Sequence, residues 1–180
     1  MRSQSPRIVI FHADQCDPKK CTGLRLVRTG RAEIRRDIRR IPRGALVLNP
    51  VSRVALSPAD RTTIASHGLV ALDCSWNLAE AIFREVRHGE QRALPYLIAA
   101  NPINTYRPVK LSTAEAIAAA LYITGFRETA EDVMSLFKWG PSFLTLNEEW
   151  LKAYAECKTS TDVVSVQTQI MREHARPQQE

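Results

Sequence analysis

Short runs of apolar residues in the first half of the chain predict buried strands. They lie at residues 7–13, 24–30, 45–50, 69–73 and 94–102. Apolar runs of this length, bounded by turn residues, are typical of strands covered on both faces. Segments with helical features lie between them at 31–40, at 57–68, where Ser57 and Pro58 form a helix start, and at 77–88. Strands alternating with helices predict a parallel α/β layer.

Beyond residue 108 the pattern predicts helices only. The segment 112–115 (STAE) is a capping box for a helix that is apolar nearly all round and ends at Gly125. Further helices are predicted over residues 127–139, from 141 through 154 and from 162 to 174. The sequence therefore predicts an α/β part, residues 1–92, followed by a mainly helical part, residues 93–180.

Polar side chains follow several of the apolar runs, namely Asp14, Asn49, Asp73 and Asn101. In open parallel sheets, ligands bind beyond the carboxyl ends of the strands. Asp73 is the leading site candidate because Trp76 follows it, which sets a carboxylate and an indole at a strand end. Two structural alternatives stay open: Asp73 as a helix cap and Trp76 as a core residue.

Charge adds a candidate partner. The 180-residue chain has a net charge of +6. Between Arg25 and Arg43, eight arginines face only Glu33 and Asp37, so the excess charge lies there. Arginine suits bidentate phosphate contact, so this segment indicates a nucleic-acid-binding face, with a solvated face as the alternative. The residues assigned to this face are Lys19, Lys20, Arg25, Arg28, Arg31, Arg35, Arg36, Arg39, Arg40 and Arg43.

Several common sites are excluded by sequence. No GxG turn, GxxxxGK[ST] loop, HExxH or GxSxG motif occurs, which argues against Rossmann dinucleotide sites, P-loop ATPases, zincins and α/β-hydrolases. The cysteines Cys16, Cys21, Cys74 and Cys157 form no disulfide framework, and no second closely spaced pair completes a zinc site, so we expect no metal. Without a signal-peptide core or a run of about 20 apolar residues, a cytoplasmic location is expected.

Six segments taken together resemble one family. They are DQCDPKKCTG (14–23), LVLNP (46–50), LDCSW (72–76), RALPYLIAANPINTY (92–106), LSTAEAIAAAL (111–121) and FKWGPSFLTLNEEWLKAY (137–154). On these motifs the chain resembles the small-subunit rRNA aminocarboxypropyltransferases, ribosome-biogenesis enzymes of archaea and eukaryotes. The likeness covers residues 7–155, and the compact chain is similar to an archaeal member.

The resemblance implies a fold and a reaction. The fold would be a SPOUT-like parallel sheet with a deep trefoil knot, followed by the helical part. The cofactor would be S-adenosylmethionine, whose 3-amino-3-carboxypropyl group would pass to N3 of N1-methylpseudouridine in small-subunit rRNA, leaving 5′-methylthioadenosine. Knotted methyltransferases are commonly dimers, but the helical part would cover the surface they use, so we expect a monomer that acts on small-subunit rRNA or on the pre-ribosomal small subunit. The alternatives are a SPOUT-type RNA methyltransferase and a non-catalytic RNA-binding assembly factor.

The resemblance also implies residue roles. Asp73 would either stabilise the sulfonium or accept the N3 proton, and Trp76 would form an apolar wall beside the cofactor. The cofactor site would comprise Thr22, Leu48, Leu72, Trp76, Leu94, Ala99, Ala100, Val109 and Thr113. The sequence departs from the family pattern at Thr105-Tyr106, where tyrosine-glycine is usual, and at Val109, where an aromatic residue is common.

Overall fold

The computed structural model describes residues 5–14, 17–73, 81–82, 84–86 and 89–175. These residues contain a five-stranded sheet in the order β2-β1-β4-β3-β5, with every pair parallel. The strands are β1 (Ile8–His12), β2 (Glu33–Arg35), β3 (Leu46–Leu48), β4 (Leu69–Asp73) and β5 (Glu90–Arg92). The expected parallel α/β layer is thus confirmed.

The two central strands determine where the sheet ends. β1 is buried at every residue, and β4 is buried over its first three. Their register pairs Ile8 with Leu69 and ends with His12 beside Asp73. Alternate side chains of these strands enter two separate apolar clusters, one on each face of the sheet.

Helices cover the larger apolar cluster. They are α1 (Thr22–Arg28), α2 (Arg61–His67), α3 (Thr113–Ile123), α4 (Arg127–Ser135), α5 (Gly140–Leu146), α6 (Glu148–Glu156) and α7 (Ser160–His174), with 3-10 turns at Ile38–Arg40 and Pro58–Asp60. As predicted, α3 is buried nearly all round. It packs on β4, α1 and the other helices, so the helical residues and the sheet share one core. No helix among the described residues is long and apolar enough to cross a membrane.

Two predictions between residues 24 and 40 are wrong. Residues 24–30, expected as a strand, lie mostly in α1, because Gly23 and Leu26 are buried at helical spacing. Residues 31–40, expected as a helix, form β2 and then a 3-10 turn capped by Asp37. Pairing with β1 sets the conformation of β2 against its local helical rhythm.

The fifth strand also differs from the prediction. Residues 94–102 form no regular strand, and β5 comes earlier, at the polar segment 90–92. Side chains from the helical part bind the backbone of 94–102, and a bridge to the following loop adds further bonds. Asn147 bonds both the N–H and the C=O of Ile98 at 2.8 Å, and the side chain of Gln167 accepts from the N–H of Tyr96. Ile98 also forms an isolated antiparallel bridge with Pro108. These partners allow the apolar run to be buried outside the sheet.

The helical predictions hold with one correction. The segment from 141 through 154 forms two helices, α5 and α6, that meet at Asn147. The buried amide of Asn147 serves residue 98 and the carbonyl of Phe143, so the chain turns there. The predicted helix 77–88 lies largely outside the described residues, although 81–82 and 84–85 are helical.

Glu115 ties α3 to the 94–102 segment. Its carboxylate is fully buried and accepts N–H bonds from Ala100, from the backbone and the amide of Asn101, and from Ser112, at 2.7–3.0 Å. The reciprocal bond from the Glu115 N–H to the Ser112 hydroxyl completes the capping box. One side chain thus satisfies four donors that burial would otherwise leave without partners.

We predict that Glu115→Ala lowers the free energy of unfolding by about 3 kcal/mol, because four buried donors lose their acceptor. Glu115→Gln should also destabilise, since its amide hydrogens would face other donors. Guanidinium denaturation followed by circular dichroism measures both. Glu131→Ala, at an exposed position on α4, is the matched control and should stay within about 0.5 kcal/mol. A Glu115→Ala protein as stable as this control would contradict the assigned role.

Candidate functional site

The ends of β1 and β4 bring three reactive side chains together. Cys21, the N-cap of α1, donates its S–H to Oδ2 of Asp73 over 2.9 Å. Its sulfur lies 3.7 Å from Nε2 of His12, and that nitrogen lies 3.9 Å from the same Oδ2. His12 and Cys21 are buried, while 15% of the Asp73 side chain is exposed. Only the carboxylate of this cluster therefore reaches the surface to any extent.

A glycine permits this close packing. A Cβ placed on Gly23 would lie 2.8 Å from Oδ2 of Asp73 and 3.3 Å from the methyl group of Thr113. Next to it, the hydroxyl of Thr22 accepts the N–H of Ala114 at 3.1 Å. The start of α1, the end of β4 and the start of α3 therefore converge on Asp73.

The imidazole of His12 continues the cluster towards solvent. Its Nδ1 lies 3.0 Å from Oδ1 of Asp14 and 3.1 Å from the backbone N–H of Asp14. The Asp14 side chain is 61% exposed and pairs with Arg36 at 3.2 Å. Asp14 has a φ of +54°, a left-handed conformation that turns both its N–H and its carboxylate towards the ring.

The cluster contains the ligand types of a transition-metal site. Each of these side chains, His12, Cys21 and Asp73, offers one ligand atom, and the three atoms lie within 4.8 Å of one another. A tetrahedral zinc site separates its sulfur and oxygen ligands by about 3.5 Å. The 2.9 Å between Sγ and Oδ2 is instead a hydrogen-bond distance, with the thiol proton between them. A metal would have to displace that proton and spread the side chains, so the geometry favours the hydrogen-bonded form.

The other strand-end residues have structural partners. Asn49 is buried, bonds Gln91 and accepts the N–H of Val51. Asn101 is buried against Glu115. Four polar residues were predicted at strand ends. Of these, Asp14 and Asp73 belong to one cluster together with His12, whereas Asn49 and Asn101 do not. Sequence reasoning did not assign His12 or Cys21 to the site, because only the fold brings residues 12, 21 and 73 together.

The predicted cofactor residues occupy varied environments. Leu48, Ala99 and Ala100 are buried, and Thr22, Leu72, Leu94 and Thr113 are partly buried. The N–H groups of Ala99 and Ala100 already bond Arg107 and Glu115. Val109 is 61% exposed with a φ of +53°, which is unusual for a β-branched residue. Trp76 lies outside the described residues.

Ion pairs neutralise part of the arginine segment. Four arginines pair with acids, as Arg31–Asp132, Arg35–Glu33, Arg36–Asp14 and Arg39–Asp37. Arg7 and Arg35 together lower the pKa of Glu33 to about 2. Arg28 donates to the carbonyl of Pro18, and Arg25 lies over the ring of Phe137. The remaining predicted RNA contacts, which form no ion pair within the described part of the chain, are Lys19, Lys20, Arg40 and Arg43.

A groove of about 700 Å³ lies between residues 36–41 and 82–86. Phe11 and Val86 contribute apolar surface to it, and Arg36 and Arg39 contribute positive charge.

Fold and site together define a parallel α/β protein whose candidate centre is a carboxylate held at the carboxyl edge of its sheet. The family model described as "Ribosome biogenesis protein, C-terminal" matches residues 46–171. The 16S rRNA aminocarboxypropyltransferase of Methanothermobacter thermautotrophicus is 51% identical over 164 residues, covering 89% of this chain and 96% of that protein. The enzyme of the same name from Methanopyrus kandleri is 51% identical over 165 residues, covering 91% and 98%.

A solved structure agrees with these relatives. The SAM-dependent rRNA:acp-transferase Tsr3 from Vulcanisaeta distributa is 40% identical, covers 93% of this chain and 97% of its own, and superposes with a TM-score of 0.81. The chain belongs to the 16S rRNA aminocarboxypropyltransferase family, a family of transferases. The resemblance predicted from its motifs is confirmed.

A second family model, "Possible Fer4-like domain in RNase L inhibitor", matches residues 6–37. A four-iron cluster takes four cysteine ligands. The matched segment contains two cysteines, Cys16 and Cys21, and Cys21 is bonded to Asp73. This segment therefore does not supply the ligand set of such a cluster.

Gly23→Ala should disrupt the site while preserving the fold. Its Cβ would displace the carboxylate of Asp73, and we expect the rate of rRNA modification to fall about 10- to 100-fold. The control is Gly30→Ala, where a Cβ meets nothing within 4 Å but the φ of +74° is unfavourable. It should cost about 1 kcal/mol of stability and leave the rate within about twofold. Equal rates for the two variants would contradict the close-packing role of Gly23.

Proposed function

We propose that this protein transfers the 3-amino-3-carboxypropyl group of S-adenosylmethionine to N3 of N1-methylpseudouridine in small-subunit rRNA, with 5′-methylthioadenosine as by-product. Family membership supports the transferase class and the rRNA substrate. The observation that carries the proposal at atomic level is the position of Asp73. Its carboxylate is partly exposed at the sheet edge where α1, β4 and α3 converge.

The proposed reaction can use a carboxylate at this edge of the sheet. The sulfonium cofactor supplies an electrophilic carbon to the acceptor. As N3 bonds that carbon, it loses its proton, and the electron pair of the broken carbon–sulfur bond stays on sulfur. Asp73 either accepts this proton or stabilises the cationic sulfur by its charge. Both roles require that the carboxylate be held at a fixed angle, which the bond from Cys21 provides.

Residues on both sides of Asp73 fit a cofactor. Leu48 and Leu72 at the ends of β3 and β4, with Leu94, would hold apolar parts of the molecule. The small, buried Ala99 and Ala100 leave room beside them. The remaining proposed contacts are Thr22, Trp76, Val109 and Thr113. Because Val109 is exposed, it would contact the cofactor only from the solvent side of the proposed site.

We also propose the finer features of the family fold for this chain. They are the trefoil knot, the division at residues 92 and 93 with the cofactor between the two parts, a monomeric state and action in the cytoplasm. Insertion of β4 between the earlier strands β1 and β3 supports a threaded path. A backbone path that straightens when its two ends are pulled apart would refute the knot. A dimer detected by light scattering would refute the monomeric state.

Labelled cofactor tests the transfer directly. Small-subunit rRNA fragments carrying N1-methylpseudouridine are incubated with S-adenosylmethionine labelled on either the methyl or the carboxyl carbon. We expect only the carboxyl label to enter the RNA, and Asp73→Asn to reduce the rate at least about 100-fold. Methyl label in the RNA would establish a methyltransferase instead. Binding without transfer of either label would establish an assembly factor.

We expect basic residues that form no ion pair to make most of the contacts with the RNA phosphates. We expect Arg40→Gln combined with Arg43→Gln to reduce the slope of log affinity against log salt by about 1.5, because each phosphate contact contributes about 0.7 to 0.9. Filter binding of the RNA fragment over a range of salt concentrations measures this slope. In the matched control, Lys152→Gln with Glu148→Gln removes an ion pair outside the basic segment without changing net charge, and the slope should stay the same. An unchanged slope in the arginine variant would favour a solvated face.

A further inference from the structure

Two buried reactive groups among the described residues, Cys21 and His12, take no direct part in the bond changes of the proposed transfer. His12 is 2% exposed and Cys21 is 8% exposed, yet both contact the partly exposed carboxylate of Asp73. Their contacts converge on one atom, Oδ2, at 2.9 Å from the sulfur and 3.9 Å from Nε2. A purely apolar wall would have supported Asp73 without desolvating a thiol and an imidazole.

The imidazole has bonding partners in each of its two neutral tautomers. With Nδ1 unprotonated, that nitrogen accepts the N–H of Asp14, and Nε2–H points towards Cys21 and Asp73. With Nδ1 protonated, it donates to Oδ1 of Asp14 at 3.0 Å. Among the described residues, the titratable and charged groups facing the ring are Asp14, Cys21 and Asp73, with Arg36 behind Asp14.

We propose that Cys21 and His12 are positioning residues for the transfer reaction, Cys21 through its S–H bond to Oδ2 of Asp73 and His12 through its contact with the sulfur of Cys21. This rests on the proposed function, in which Asp73 accepts the N3 proton or faces the sulfonium. The S–H bond from Cys21 fixes the rotation of the carboxylate. The buried ring of His12, 3.7 Å from the sulfur, limits the movement of Cys21 away from that bond.

Two substitutions at Cys21 distinguish the loss of its hydrogen-bond donor from a change in the shape of its side chain. Cys21→Ser keeps an O–H donor and a good helix N-cap, so we expect its single-turnover rate within about fivefold of the parent protein. Cys21→Ala removes the donor, and we expect a rate about 10- to 100-fold lower. Calorimetry with S-adenosylmethionine should give similar affinities for both variants. Cys157→Ala, at the other cysteine among the described residues, is the control for thiol removal and should match the parent protein.

Two substitutions test His12. His12→Gln keeps a polar side chain beside Cys21, so we expect a single-turnover rate within about fivefold of the parent protein. His12→Ala leaves the sulfur without this contact, and we expect a rate about 10-fold lower with an unchanged affinity for S-adenosylmethionine. A parent rate in His12→Ala would remove His12 from the positioning role.

The outcomes distinguish this inference from the proposed function. If Asp73→Asn is inactive but Cys21→Ala or His12→Ala keeps the parent rate, the positioning role fails and the transfer proposal stands. If Asp73→Asn remains active, the role of Asp73 itself fails. If chelators abolish the parent activity and zinc restores it, the three side chains are metal ligands and the positioning role is overturned.

Discussion

The register between β1 and β4 is the constraint from which the site follows. Both strands are buried apolar runs, and five residues of one lie beside five of the other. Because side chains alternate between faces, a slip of one residue would move every apolar side chain to the opposite face. Packing on both faces therefore fixes the register, and the register sets His12 beside Asp73. Two polar residues owe their proximity to the apolar residues that precede them.

Buried polar side chains perform the corresponding task in the helical part. Glu115 and Asn147 bind the backbone of residues 98–101, which forms no regular strand. Their bonds hold that segment against α3, and the start of α3 approaches Gly23 and hence Asp73. Since unsatisfied buried donors cost more than ordinary hydrogen bonds contribute, these two residues specify one arrangement of the helical part on the sheet.

Sequence patterns predict the elements whose local and tertiary preferences agree. β1, β3, β4 and the long helices fall into this group because their apolar spacing matches their burial. Residues 24–40 do not, since the strand–helix choice there depends on pairing with β1 and on packing near residue 73. Likewise, the apolar run at 94–102 resembles a strand until its partners, 147 and 167, are known. Such partners are distant in sequence, and no local pattern reports them.

The candidate site shows the same contrast between local patterns and distant contacts. The position of Asp73 at the sheet edge was predictable from the strand that precedes it, and ligands bind at strand ends in parallel sheets. The family motif pointed to Asp73 independently. Cys21 and His12 were not, because their significance lies in distances between positions 12, 21 and 73. A cysteine in a turn-rich loop and a histidine within an apolar run have ordinary interpretations when each is considered alone. Only the fold shows that both reach one carboxylate oxygen.

The arginine segment is more than a charged surface, because one of its members contacts this cluster. Arg36 pairs with Asp14, Asp14 contacts His12, and His12 approaches Asp73. An RNA phosphate that bound Arg36 would compete with Asp14 for the guanidinium, since an arginine binds either anion by the same donors. Release of Asp14 would leave its carboxylate free to interact more strongly with the imidazole. The proposed RNA binding on the basic segment would therefore be connected to the charge balance around Asp73 through three side chains, Arg36, Asp14 and His12.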